Sequence, residues 1–375
     1  MENKNRSLIT LGILTIILIS LIVFEFVHLN GNVTKEEKVI KVGAVLPLTG
    51  KSADWGIKTQ NGINFALKEV NSDKVKIDVI YEDSGADPAK AITSTKKLIE
   101  IDHVDVLMCQ LSDVCSAIAP TAQENKVVLL GLTNAPGFGE FGNYIFNLRG
   151  ESQVGGKVLG EYASRRYRNA AVFYLNNPTM IGMFEGFNNS FTRNGGKISK
   201  VYIHNLEAED FKTELIKTKN ENIDVLVFLS RYQTEIILAK QARELGLNQP
   251  IIAGLGTDTK AFIDKLGSIS EGIIYPAAKV NDNANNKILK EALQNYKIKY
   301  GENMPIWTAE GYDSIRFLGY AYSKGAYTPN GIRLLLAETK GFEGLSGNIE
   351  MTASRVVNKS YSLFVVRNRS FVLLG

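Results

Sequence analysis

The chain has 375 residues, 45% hydrophobic and 22% charged, with a formal net charge of +4. That length exceeds one ordinary core and suits two domains of about 150 residues each. The mixed, non-repetitive composition excludes a disordered chain, and basic residues scattered among acidic ones exclude the cationic face of a nucleic-acid binder.

In chain order, the first signal is hydrophobic. Lys4 and Arg6 precede an apolar run from Leu8 to Val27, broken only by Thr10, Gly12, Thr15, Ser20 and Glu25. About 20 residues at about 1.5 Å each span a hydrocarbon core of about 30 Å. The flanking cations favour a cytoplasmic N-terminus and place everything after about residue 30 outside. Residues 1–30 therefore read as a transmembrane anchor or a signal segment. The length of the run and the lack of a small-x-small site around Phe24–Leu29 favour the anchor. No cysteine follows the run closely enough for a lipoprotein; the two present are Cys109 and Cys115. Their spacing suits an extracytoplasmic disulfide, and equally two buried thiols.

After a polar linker (31–38), strand and helix patterns alternate. Residues 39–46 form a β-branched run ended by Pro47, and Asp54 stands as N-cap of a helix carrying Ile57, Ile63, Ala66 and Val70. Strand 75–81, a helix opened by Pro88, strand 104–108, a helix through 118–124 and strand 127–130 follow. The pattern restarts after Arg149. Helices over 153–167, 180–193, 210–219 and 234–245 alternate with strands at 170–175, 197–204, 223–229 and 250–253. Asn194-Gly195-Gly196 closes the 180–193 helix. Later come helices over 285–300 and 308–324 and strands near 347–351 and 361–366. The order is that of parallel sheets covered on both faces. Ligands of such sheets lie at the carboxyl ends of the strands, which singles out the loops after each one.

Lys41-Val42-Gly43-Ala44-Val45-Leu46-Pro47-Leu48-Thr49-Gly50, Trp55-Gly56 through Asn61-Gly62, Glu82-Asp83-Ser84, Leu132-Thr133-Asn134, Gln241-Ala242-Arg243-Glu244-Leu245-Gly246 and Glu310-Gly311-Tyr312-Asp313-Ser314 occur in one register over about residues 39–370. As an ordered set they resemble type I periplasmic binding proteins of the branched-chain amino acid (Leu/Ile/Val) family. The resemblance implies two Rossmann-like α/β lobes joined by a three-strand hinge. Lobe 1 would hold 39–148 and 277–346, and lobe 2 would hold 149–276 and 347–375. A ligand would be clamped between them, and an ABC importer permease would be the partner.

The resemblance also implies site residues. Hydroxyls at Ser112 and Thr133, next to Asn134, would take a carboxylate; both also suit caps and turns. Asp113 departs from the family's hydroxyl there and would repel a carboxylate. Glu151 stands where the family places an acid for an ammonium group, a position that also suits a helix N-terminus. A second family acid falls near Gly256, for which Asp258 is the substitute. Trp55 and Tyr232 would wall the ligand, Trp307 less directly. A contact the family makes with Tyr-Gly is replaced by Ile181-Gly182.

His28, His103 and His204 lie far apart and assemble no metal site. No nucleophile triad or Walker loop appears, so neither an enzyme nor a cofactor is expected. The apolar N-terminus leaves no helix-turn-helix, which excludes the repressors that share this fold. The expectation is an extracytoplasmic, membrane-anchored solute-binding protein for a small molecule, an amino acid first. A sensor ectodomain, or a ligand such as an amide, urea or aromatic carboxylic acid, is the alternative.

Overall fold

The computed structural model describes residues 15–21, 38–282 and 286–374. The chain divides into two units, 1–38 and 39–375. In the first, residues 15–21 form a helix with exposed side chains. Among the described residues no helix is long and apolar enough to cross a membrane, and most of the span expected over 8–27 lies outside them.

In the second unit, β1 (Ile40–Leu46), β2 (Ile77–Asp83), β3 (Val106–Gln110), β4 (Val128–Leu132) and β5 (Ile145–Asn147) form a parallel sheet of order β2-β1-β3-β4-β5. Alternate residues of one strand serve two cores. Val106 and Met108 face one, Leu107 and Cys109 the other. A strand buried on both faces must be apolar throughout, which explains the unbroken hydrophobic runs.

A second sheet repeats this topology. Strands β6 (Asn169–Leu175), β7 (Lys197–His204), β8 (Val225–Leu229), β9 (Ile251–Ala253) and β10 (Ile274–Ala277) pair in the order β7-β6-β8-β9-β10, all parallel. Strands β11 (Ser362–Arg367) and β12 (Ser370–Leu373) extend its edge antiparallel.

Helices α1 (Ala53–Val70), α2 (Pro88–Glu100), α3 (Ser112–Glu124), α4 (Ser152–Ser164), α5 (Pro178–Arg193), α6 (Lys212–Lys219), α7 (Tyr232–Glu244), α8 (Lys260–Leu266), α9 (Lys287–Tyr300), α10 (Ile306–Ser323) and α11 (Pro329–Glu338) complete the fold. Helices α9 to α11 return to the first lobe, where Leu289, Tyr312 and Ile332 join its core. The chain thus passes between sheets after β5, after β10 and before β11. Ile349, Met351 and Val357 still belong to the first core, so the last return comes later than residue 347.

Small residues set one close crossing. A Cβ on Gly62 of α1 would lie 1.9 Å from the Thr308 carbonyl of α10, and one on Gly311 would lie 2.4 Å from that of Thr59. The two helices touch backbone to backbone there.

Several local expectations are corrected. Asp54 is not an N-cap; it sits in the first turn of α1 and pairs with Lys58 at 2.8 Å, while Ser52 holds the cap position. The strand expected near 347–351 is reduced to isolated bridges, Phe342 to Ile349 and Met351 to Val357. Strands β5, β10 and β12 and helices α8 and α11 were not read from the sequence, being short or weakly periodic. Cys109 and Cys115 form a disulfide, closing a short loop from the end of β3 into α3.

Replacing both cysteines by alanine is expected to lower unfolding free energy by about 2 kcal/mol, the loop-closure value for so small a ring. Urea unfolding of the oxidised protein and the double variant measures it, and equal midpoints would contradict it.

Candidate functional site

In a doubly wound sheet, ligands settle where strand order reverses, beyond the carboxyl ends of the two diverging strands. Those positions are β1/β3 in the first sheet and β6/β8 in the second. The loops after all four strands contribute to one cavity between the lobes. Trp55 follows β1, Leu111 to Asp113 follow β3, Asn177, Thr179 and Met180 follow β6, and Arg231 follows β8. Leu132, Thr133 and Asn134 after β4 and Leu255, Gly256 and Asp258 after β9 complete its sides. Arg149, Gly150, Ala277, Ala278, Lys359 and Tyr361 line it at the interlobe crossings. The space between the lobes, open mouth included, is about 770 Å³.

One wall is aromatic. Trp55 and Trp307 stack with centroids 5.2 Å apart and planes at 21°, and the Arg149 guanidinium lies 3.5 Å above the Trp307 ring. Tyr232 meets Trp55 edge-on at 5.8 Å. Trp55 is only 4% exposed, because it packs into the core of the opposite lobe.

The charges are mostly paired. Arg149 Nε donates to Glu310 Oε1 at 2.7 Å in a buried ion pair. Lys359 Nζ donates to Ser346 Oγ at 3.0 Å; burial lowers its pKa, opposed by the negative charges of Glu310 and Asp313. From the second lobe, Arg231 donates through Nη1 to Ser52 Oγ and through Nη2 to Asp113 Oδ2, each at 3.1 Å. Gln233 Nε2 donates to the Lys51 carbonyl at 2.6 Å, and Lys51 Nζ lies 3.3 Å from Glu209. The contacts of Arg231, Gln233 and Lys51 run from one lobe to the other and hold the two sides of the cleft together. Asp258 is the exception. Its carboxyl is raised by burial, and is drawn down by its own backbone N–H and then by the charges of Arg149 and Lys58. Among the described residues no side chain hydrogen-bonds to it.

The structure therefore brings six of the expected residues to the cavity: Trp55, Ser112, Asp113, Thr133, Asn134 and Asp258. Ser112 is the first residue of α3, and Thr133 Oγ1 accepts from Ala135 N at 3.1 Å. Asn134 is also a hinge fastening, its Nδ2 donating to the Gly150 carbonyl (2.6 Å) and to Tyr361 Oη (2.7 Å). Asp113 does not confront a ligand as a bare charge, because Arg231 neutralises it. Two expectations are corrected. Glu151 stands outside the lining, and its Oε1 accepts from Gly137 N at 2.8 Å, committing it to a first-lobe loop. Tyr232 backs Trp55 rather than facing the cavity. Trp55 itself occupies the first turn of a helix rather than an exposed loop.

Sequence reasoning missed Arg149, Lys359 and Tyr361 as lining residues. A signal existed: Arg149 comes two residues after a fully buried strand, and Glu310 sits amid the apolar α10. A charge in such a place needs a partner.

A family model described as periplasmic binding protein matches residues 39–369. The leucine-, isoleucine-, valine-, threonine- and alanine-binding protein of Pseudomonas aeruginosa is 23% identical over 329 residues, 83% of this chain and 85% of that protein. A crystal structure of a leucine binding protein from Thermotoga maritima superposes with a TM-score of 0.84 at 24% identity, covering 90% of this chain and 98% of the other. A solute binding protein of an ABC transporter from Rhodopseudomonas palustris, in complex with 3,4-dihydroxybenzoic acid, superposes at 0.78 with 21% identity, covering 90% and 97%. At these identities the structural likeness establishes the fold.

Removing one partner of a buried ion pair strands the other. Arg149→Met is expected to destabilise the protein by about 3–5 kcal/mol, and adding Glu310→Gln to restore much of it. Urea denaturation of both variants tests this; a loss below about 1 kcal/mol for Arg149→Met would show that the pair contributes little.

Proposed function

The chain belongs to the periplasmic binding protein family, and from that premise we propose that it captures an amino acid outside the cytoplasm and presents it to an ABC-type importer. The observation that carries the ligand class is Asp258. It is an acid at the cavity wall with no side-chain partner, while the other acid of the lining, Asp113, is paired. An ammonium group would supply a direct hydrogen-bonding partner for it. Ser112 at the head of α3 and Thr133 offer hydroxyls to the ligand carboxylate, and the positive end of the helix favours an anion there. Trp55, Leu132, Leu255 and Ile306 form an apolar surface for the side chain. Ligand binding would hold the two lobes together, with water excluded from these polar contacts. The disulfide supports an oxidising location, and the Pseudomonas aeruginosa relative is named for binding apolar and small amino acids.

The stacked Trp55 and Trp307 favour one second reading, an aromatic carboxylic acid, the ligand class of the Rhodopseudomonas palustris relative. Such a ligand needs no ammonium site.

Calorimetric titration with L-leucine, L-isoleucine and 3,4-dihydroxybenzoate separates the two. The expected result is binding of an aliphatic amino acid, weakened about 10- to 150-fold by Asp258→Asn, the range for losing a charge-assisted hydrogen bond. Binding of dihydroxybenzoate alone, indifferent to Asp258→Asn, would replace the first reading by the second. Aliphatic amino-acid affinity unchanged by that substitution would remove Asp258 from the site.

A further inference from the structure

Glu235 lies in the first turn of α7 and is 1% exposed. Its Oε1 accepts from Ser230 N at 3.1 Å and from Gly254 N at 2.7 Å, and its Oε2 lies 2.9 Å from Thr257 Oγ1. Ser230 immediately precedes Arg231. Gly254 and Thr257 bracket Leu255 and Gly256, and Asp258 follows. The two loops leave the ends of neighbouring parallel strands, β8 and β9, where backbone N–H groups have run out of ladder partners. We propose that Glu235 is a positioning residue: one buried carboxyl fastens the loop carrying the cross-cleft arginine to the loop carrying Asp258.

The surroundings support a directional role rather than a charge role. No lysine or arginine among the described residues bonds to Glu235, and burial pushes its carboxyl up to about 8, which favours the uncharged acid. Thr257 Oγ1 also lies 2.9 Å from the Gly254 carbonyl, and one hydroxyl proton cannot serve both neighbours. With the acid protonated, Oε2 donates to Thr257 and Thr257 donates to Gly254, so the chain of bonds closes. Glutamine can reproduce it, its amide N–H donating to Thr257 while its carbonyl accepts from Ser230 and Gly254. Leucine, of similar size, can reproduce none of it. The backbone is fitted to this group as well, since a Cβ on Gly254 would stand 2.9 Å from Oε1.

The consequence for affinity rests on the cleft reading above, but the fastening itself can be measured without a ligand. Amide hydrogen exchange of the ligand-free protein should show Ser230 and Gly254 protected in the wild type and in Glu235→Gln. In Glu235→Leu, exchange there should quicken about 10- to 100-fold, as for a locally opened loop, while the strand amides of β6 and β8 stay unchanged. Protection at both amides equal to wild type in Glu235→Leu would overturn the proposal, and so would Glu235→Gln exchanging as fast as Glu235→Leu. If Glu235→Leu does not fold, Thr257→Val carries the test, removing the Oε2 contact together with the Thr257 bond to the Gly254 carbonyl. Because Thr257 does not bond Ser230, faster exchange at Ser230 N reports the loosened carboxyl and supports the fastening, and unchanged exchange there contradicts it. Titration of the same variants with L-leucine reads the functional consequence. Wild type that does not bind L-leucine would speak against the ligand assignment and leave the exchange result standing.

Discussion

Parallel pairing obliges every strand of both five-strand layers to be followed by a crossover, so the carboxyl ends of all strands in one layer open on the same side. The cleft depends on that constraint. Two layers of identical order, β2-β1-β3-β4-β5 and β7-β6-β8-β9-β10, present matching switch points to each other. Loops that are distant in sequence then meet in one cavity. Trp55 and Arg231 are separated by a whole lobe of chain, yet both belong to its wall.

Closing such a cavity removes charged groups from water, and the structure handles this by pairing them. Arg149 has Glu310, Arg231 has Asp113 and Ser52, and Lys359 has Ser346 with Asp313 nearby. The Arg149–Glu310 and Arg231–Asp113 pairs join elements far apart in the chain, so those charges become compatible with burial only once the lobes and crossings are assembled. The Asp113–Arg231 pair also crosses the cleft. An aspartate that looks hostile to a carboxylate in isolation is thereby turned into a contact between lobes. The crossings themselves are fastened by Asn134, the Gly150 carbonyl and Tyr361, bonds that link a first-lobe loop to two chain passages.

Much of the architecture was legible along the chain. Runs such as 42–46 and 225–229 are apolar at every position because both faces are covered, and the restart after Arg149 exposes the repeat. Pro88 marked a helix start, where Asp87 caps α2. Strands of three or four residues such as β5 and β10 offer too little period to read. The stretch around 347–351 has strand-like residues without a continuous ladder partner, and so forms only isolated bridges.

The sequence alone therefore determined the α/β alternation, the two-lobed repeat and the loops in which to seek a site, because periodicity and turn chemistry are local properties. Only the tertiary structure decided which side chains face the cavity. Glu151 and Asp258 are both acids beside helix starts, indistinguishable by local context. A backbone N–H from Gly137 occupies one, while the fold leaves the other without a side-chain partner at the cavity wall. The same holds for Cys109 and Cys115, whose pairing required α3 to fold back against the end of β3. Partner choice is set by distances across the fold, and those exist only after the sheets have formed and the lobes have met.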